Sequence, residues 1–201
     1  MNYADRFTGK VAVVTGGAKG IGKAIAERFV AEGGKIVIGD ICTERFPELI
    51  EELGSDNAVC MRCDVSVKED ADALVEKAYE AFNGFDIIFN NAGINIFKDF
   101  LNCTIEDSDK IFNTNFHGVF FGSQAAAKAF IAHDTKGVIV NTSSINFRCV
   151  TPNTTCYAAS KGAISMFTRG IAVELSKYGD RKSTRLNSSH EWISYAVLCL
   201  K

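Results

Sequence analysis

Tyr157-Ala158-Ala159-Ser160-Lys161 sets a phenol and an ammonium four residues apart. On a helix that spacing puts both groups on one face. An isolated tyrosine titrates at about 10, too high to move protons at neutral pH. A neighbouring cation favours the phenolate and brings that value down. The pair therefore has the chemistry of a general acid or base toward a carbonyl or an alcohol. The same spacing is common on solvated helix faces, so it acquires catalytic meaning only through its partners. Val140-Asn141-Thr142-Ser143-Ser144 supplies candidates. The run reads as the end of a strand, and open α/β sheets bind ligands at the carboxyl edge of their strands. The hydroxyl of Ser144 is a candidate to bond a substrate oxygen. Ser143 is its neighbour and rival, and either residue also suits a turn.

A second constellation lies near the N-terminus, at Thr15-Gly16-Gly17-Ala18-Lys19-Gly20-Ile21-Gly22. It follows an apolar run, Val11 to Val14, and precedes a helical pattern from Lys23 to Glu32. Strand, glycine turn and helix in that order make a phosphate site. Small residues let the backbone approach a pyrophosphate, and the helix N-terminus offers unpaired N–H groups. Gly16, Gly20 and Gly22 would also serve a tight connection with no ligand. Asp40 ends the next strand, eighteen residues after Gly22. An acid there bonds the adenine ribose hydroxyls of a dinucleotide and repels a 2′-phosphate. Asp40 therefore favours NAD, while the cation Lys19 inside the turn leaves NADP open.

These groups need a scaffold. Strand-like runs recur at Lys35 to Asp40, Ala58 to Cys63, Phe85 to Phe89 and Gly137 to Asn141. Helical patterns alternate with them at Glu44 to Leu53, Lys68 to Phe82, Glu106 to His133 and Thr155 to Tyr178. The βαβαβ order predicts a Rossmann-type, doubly wound parallel sheet with helices on both faces, a three-layer αβα architecture. Gly118, Gly122 and Ala126 recur every four residues and make one smooth face for a close neighbour, read as another helix. Cys60 and Cys63 sit at an odd separation on a strand, which points them to opposite faces, and no further pair completes a metal site. No metal is expected.

Composition narrows the partners. The 201 residues are 47% hydrophobic and 23% charged, with a net charge of -2. That balance argues against nucleic acid as a partner. No apolar run is long enough to span a bilayer, and the first residues lack a signal-peptide layout. Seven cysteines, an odd count, read as free thiols. The chain is read as cytoplasmic, with a small molecule as its substrate.

Taken together, these motifs resemble the short-chain dehydrogenase/reductase family from about Phe7 to Gly179. The turn at Thr15 to Gly22 matches the family's T-G-x-x-x-G-I-G. Asp64-Val65 matches the pair that lies against the adenine. Asn90-Asn91-Ala92-Gly93 matches the segment that steadies the sheet and lines the cofactor site. The resemblance implies a hydride transfer between a nicotinamide cofactor and an alcohol or ketone. It implies catalytic roles for Asn115, Ser144, Tyr157 and Lys161. Ser144 is favoured over Ser143 because it stands thirteen residues before Tyr157. Tyr157 would pass the proton, Lys161 would lower its pKa and hold the nicotinamide ribose, and Asn115 would hold a water. Gly16, Lys19, Gly20, Ile21, Gly22, Asp40, Asp64, Val65, Asn91, Ala92 and Gly93 would line the cofactor. A homodimer or homotetramer is expected. A nucleotide-binding protein without catalysis is the rival reading, since fold does not fix function.

Residues 1–180 are thus expected to form one nucleotide-binding domain. Residues 181–201 leave the family pattern and resemble translated sequencing-adapter sequence, so the family fold is read as truncated after the fifth strand and its following helix. The expected cost is an uncovered sheet edge and an unstable, poorly active product.

Overall fold

The computed structural model describes residues 5–178, together with the backbone of residues 185–190 and 193–199. Its centre is β1 (Val11–Thr15), buried along its whole length. A strand that is apolar at every position needs cover on both faces, which is the condition of a parallel sheet flanked by helices. β2 (Lys35–Asp40) and β3 (Ala58–Arg62) extend the sheet to one side, and β4 (Ile87–Asn90) and β5 (Val138–Thr142) to the other, all parallel. The spatial order β3-β2-β1-β4-β5 reverses direction between β1 and β4. Two adjoining connections diverge there and open a crevice at the carboxyl ends of the strands. The expected Rossmann-type, three-layer αβα sheet of five parallel strands is present.

Alternate residues of each strand divide the core. Val13, Val37, Ile88 and Ile139 face one layer, with Leu74 of α3 (Lys68–Phe82) and Phe130 of α5 (Gly118–Ala132). Ala12, Val14, Ile36 and Ile38 face the other, with Phe29 of α1 (Gly20–Ala31) and Leu53 of α2 (Phe46–Leu53). Each large side chain buried this way contributes about 1.5–3 kcal/mol. Cys60 packs on the second layer and Cys63 lies in the first, so the two thiols do face opposite ways. α4 (Ile105–Phe112) begins with a reciprocal cap between Thr104 and Asp107, and α6 (Thr155–Leu175) closes the αβ alternation.

Three expectations change. The single helix read over Glu106 to His133 is two α-helices joined by a π-turn, Asn113–His117, in which the Gly118 N–H reaches back to the Asn113 carbonyl. The smooth face of Gly118 and Gly122 does not receive a helix. A Cβ at Gly118 would lie 2.8 Å from Val65, and one at Gly122 would collide with the Asn90 amide. The missing side chains let α5 settle on the sheet, so this stripe is consumed inside the chain. Finally, the outer edge of β5 is covered. β7 (Ile193–Cys199) pairs with it antiparallel, and β6 (Arg185–His190) pairs with β7. An open strand edge presents unpaired N–H and C=O groups, which backbone of any sequence can satisfy. The remaining readings of the tail, residues 179–184, 191–192 and 200–201, lie outside the described residues.

Candidate active site

The glycine turn leaves β1 at Gly16, whose φ of +64° is a left-handed conformation that suits glycine. A Cβ at Gly22 would collide with the Gly16 carbonyl, so the helix presses against the turn only because that atom is missing. α1 then starts with no side-chain cap and no acidic residue in its first turn. Its leading N–H groups are thus left to whatever occupies the crevice, and the helix dipole favours an anion. Gly16, Lys19, Ile21, Asp40, Asp64 and Val65 line a cavity of about 800 Å³, with Asn91, Ala92 and Gly93 on its far wall. Gly20 and Gly22 stand behind this lining and shape the turn.

Asp40 has a structural task as well. One of its oxygens accepts from the Ala18 N–H and the other from the Cys42 N–H, both at 2.9 Å. The carboxylate thereby orders the glycine turn while it lines the cavity. Asp64 similarly accepts from the N–H and hydroxyl of Ser66, at 3.0 and 2.6 Å. Asn91 donates its amide to the carbonyls of Thr15 and Gly16, at 3.2 and 3.3 Å. The Thr15 hydroxyl in turn accepts from the N–H groups of Asn91 and Ala92. The segment after β4 is laced to the turn by these bonds, and Thr15, which the sequence motif opens on without assigning it a task, ties them together. Its signal was its place as the last residue of β1.

A second cavity of about 270 Å³ adjoins this one and shares Ile21, Asn91 and Gly93 with it. Ser144, Tyr157 and Lys161 line its opposite side. Lys161 does not belong to a solvated face. It is 3% exposed, and its ammonium donates to the Thr142 carbonyl at 2.9 Å. The same nitrogen stands 5.7 Å from the centre of the Tyr157 ring. Burial lowers its pKa from 10.5 to about 8, because the charged form loses hydration.

The two serines separate by their bonds. The Ser143 hydroxyl donates to the Lys161 carbonyl at 2.9 Å and meets the Ser165 hydroxyl at 3.1 Å. It is spent on fastening β5 to α6. The Ser144 hydroxyl accepts from the Asn146 N–H at 3.2 Å, and among the described residues no acceptor takes its own proton. That donor is left for a molecule in the cavity.

Asn115 does not line either cavity; it is fully buried at the middle of the π-turn. Its amide accepts from the Ile94 N–H at 2.8 Å and donates to the Ile94 carbonyl at 2.9 Å. It also donates to the Ser160 hydroxyl at 3.0 Å. The Ser160 hydroxyl donates in turn to the Tyr157 carbonyl at 2.7 Å. A Cβ on Gly93 would meet both the Asn115 oxygen at 3.2 Å and the Lys161 nitrogen at 3.4 Å. Asn115 thus stands behind Gly93 and Lys161, which line the cavity. π-turns of one extra residue often mark functional sites, and here the added residue carries the amide toward the β4 loop. Below lies a buried polar ladder that the sequence did not announce. The Asn90 amide donates to Ser123 at 3.1 Å and to Asn141 at 2.8 Å, and Asn141 donates to Thr168 at 3.0 Å. It joins β4, α5, β5 and α6 beneath the site.

A sequence profile described as short chain dehydrogenase matches residues 10–184. An uncharacterised oxidoreductase of Mycobacterium bovis is 37% identical over 179 residues, which cover 89% of this chain and 72% of the relative. L-2,3-butanediol dehydrogenase of Corynebacterium glutamicum is 38% identical over 174 residues, covering 85% of this chain and 67% of the relative. Among solved structures, a short-chain dehydrogenase/reductase from Burkholderia phymatum in complex with NAD superposes with a TM-score of 0.82 and 31% identity. The match covers 86% of this chain and 62% of that one.

Proposed function

The chain belongs to the short-chain dehydrogenase/reductase family of oxidoreductases, and from that premise we propose that it moves a hydride between a nicotinamide cofactor and a small alcohol or ketone. The observation that carries this reading is the shared wall of the two cavities. A dinucleotide-sized crevice with an uncapped helix N-terminus opens directly onto Ser144, Tyr157 and Lys161.

When bound, the cofactor supplies or accepts the hydride, and the protein supplies position and electrostatics. The first turn of α1 receives the pyrophosphate, with Gly16 and Gly22 keeping the backbone clear of side chains. Asp40 faces the adenine ribose and favours NAD; Lys19 keeps NADP open as a second cofactor. Asp64 and Val65 border the adenine end, and Asn91, Ala92 and Gly93 border the nicotinamide end. Ser144 donates its free proton to the substrate oxygen. Tyr157 gives a proton to that oxygen during reduction and takes it during oxidation. Lys161 holds positive charge beside the phenol and bonds the nicotinamide ribose. Asn115 fixes the Ile94 backbone and the start of α6, and holds a water in the proton path to Lys161. A homodimer or homotetramer accompanies this activity. The outer face of α5 and α6 suits it: Met166 and Val173 are exposed on α6, and Phe116 and Phe120 both contact Phe167.

Tyr157→Phe tests the assignment. The variant is expected to lose turnover with simple ketones and diols while its NADH affinity stays within about twofold, since the phenol oxygen acts in the transition state. Undiminished turnover would remove Tyr157 as the acid/base. A wild-type chain that binds NADH and turns over no carbonyl would favour the non-catalytic reading.

A further inference from the structure

Cys103 and Cys156 are 53 residues apart, yet their sulfurs stand 3.3 Å from each other. Cys103 precedes the Thr104 cap of α4, and Cys156 lies in the first turn of α6, immediately before Tyr157. Both are partly exposed, so small molecules reach them. Among the described thiols, their sulfur–sulfur contact sets them apart. Burial pushes Cys60 up to about 11 and Cys63 up to about 12, which suppresses the reactive thiolate. Cys149 is exposed and has no thiol partner among the described residues. Cys103 has one in Cys156, and the hydrogen bond between them raises the Cys103 pKa.

We propose that Cys103 and Cys156 form an oxidisable dithiol, a modification site that closes to an intramolecular disulfide and pins the substrate-side rim. The chemistry requires an oxidant, and a low-molecular-weight disulfide supplies it. One cysteine thiolate attacks a sulfur of the small disulfide and releases one small thiol, leaving a mixed disulfide. The second cysteine attacks the protein sulfur of that mixed disulfide and displaces the second small thiol. The dithiol loses two electrons and two protons, and the small disulfide gains them as two thiols. The sulfurs must close from 3.3 Å to the bond length of about 2.05 Å, a small movement for two side chains on element ends.

The bond would fasten the connection between β4 and α4 to the helix turn that carries Tyr157. That connection already touches the loop before α6 once, where the Lys98 N–H donates to the Asn153 carbonyl at 3.1 Å. It presents Phe97, Phe100 and Leu101 to solvent, each more than two-thirds exposed. A second, covalent tie restricts how far this apolar rim can part from Tyr157. The effect on turnover rests on the oxidoreductase reading; the thiol chemistry does not.

The full chain is incubated with glutathione disulfide, alkylated and digested without reduction for peptide mass mapping. The expected main product is a peptide pair cross-linked through Cys103 and Cys156. In Cys103→Ser the expected product is glutathione retained on Cys156. Persistent glutathione on both cysteines of the wild type, or equal pairing of Cys103 with Cys149, would overturn the dithiol site. Turnover is read on the same samples and on Cys103→Ser/Cys156→Ser, with loss on oxidation and recovery with dithiothreitol expected for the wild type and not for the double variant. A cross-linked protein with unchanged turnover would overturn the control of the rim. A reduced protein without turnover would count against the oxidoreductase reading alone, and the peptide map would still decide the thiol site.

Discussion

Replacing Lys161 with methionine exposes what its burial costs. The folded ammonium titrates at about 8, whereas the unfolded chain returns it to 10.5. A folded pKa below the unfolded one means that the unfolded chain holds the proton more tightly between those values. Stability therefore rises with pH across that window. A shift of about 2.5 units corresponds to about 3 kcal/mol, present in full as a penalty below pH 8 and relieved as the pH approaches 10.5. From about pH 7 to about pH 9 the expected gain is about 1 kcal/mol. Lys161→Met removes this dependence and keeps the length of the side chain. It also removes the donor to the Thr142 carbonyl, a loss that does not vary with pH. Urea unfolding of wild type and variant is measured at several pH values between 7 and 10, and the difference between them is plotted. The wild type is expected to gain on the variant as the pH rises, by about 1 kcal/mol over the first two units. Groups remote from Lys161 titrate in both proteins and cancel, and making the comparison in a Tyr157→Phe background removes the phenol that stands beside Lys161. Parallel curves across the window would refute the reasoning, because they would mean that the lysine pays no charge penalty in the folded state.

Asn115→Leu deletes three hydrogen bonds and leaves the half-buried Ile94 N–H and carbonyl without their partner. A destabilisation of about 3 kcal/mol is expected, read from the midpoint of urea unfolding; a change below about 1 kcal/mol would show that the π-turn relaxes around the loss. Asp40→Ala removes the acceptor of the Ala18 and Cys42 N–H groups together with its charge. NADH affinity is expected to fall by about tenfold or more while NADPH affinity falls less, measured by fluorescence titration of both. An equal loss for the two nucleotides would assign Asp40 to the turn alone.

Much of the molecule was legible as pattern. α3 runs over the stretch that its apolar spacing marks, Lys68–Phe82, because Leu74, Val75 and Ala78 recur at helical intervals. β1 and β2 read as strands because parallel strands are apolar on both faces. The pattern reads one long helix, and the resemblance implies only a bend at Asn115, not a π-turn. Asn113, Thr114 and Asn115 are weak helix formers, but propensity does not specify a π-turn; it forms where the Asn115 amide finds its partners on Ile94, twenty-one residues away. The Gly118 and Gly122 stripe announced a close approach and did not say to what. A small residue states only that something comes near, and here it is the Asn90 amide and Val65. The choice between Ser143 and Ser144 was open on local chemistry, since both are hydroxyls at a strand end.

The sequence by itself determined the order of strands and helices, the glycine turn ahead of α1, and the four-residue spacing of Tyr157 and Lys161. Those properties depend on residue type and on periodicity along the chain, which short-range sterics and hydrophobic spacing control. Tertiary structure alone decided that Lys161 is buried and bonded to Thr142, that Ser143 is spent on α6 while Ser144 keeps a free proton, and that Cys103 meets Cys156. Each of these depends on groups distant in sequence brought within hydrogen-bonding reach, and desolvation and bonding have no value until the packed chain sets which atoms share a space.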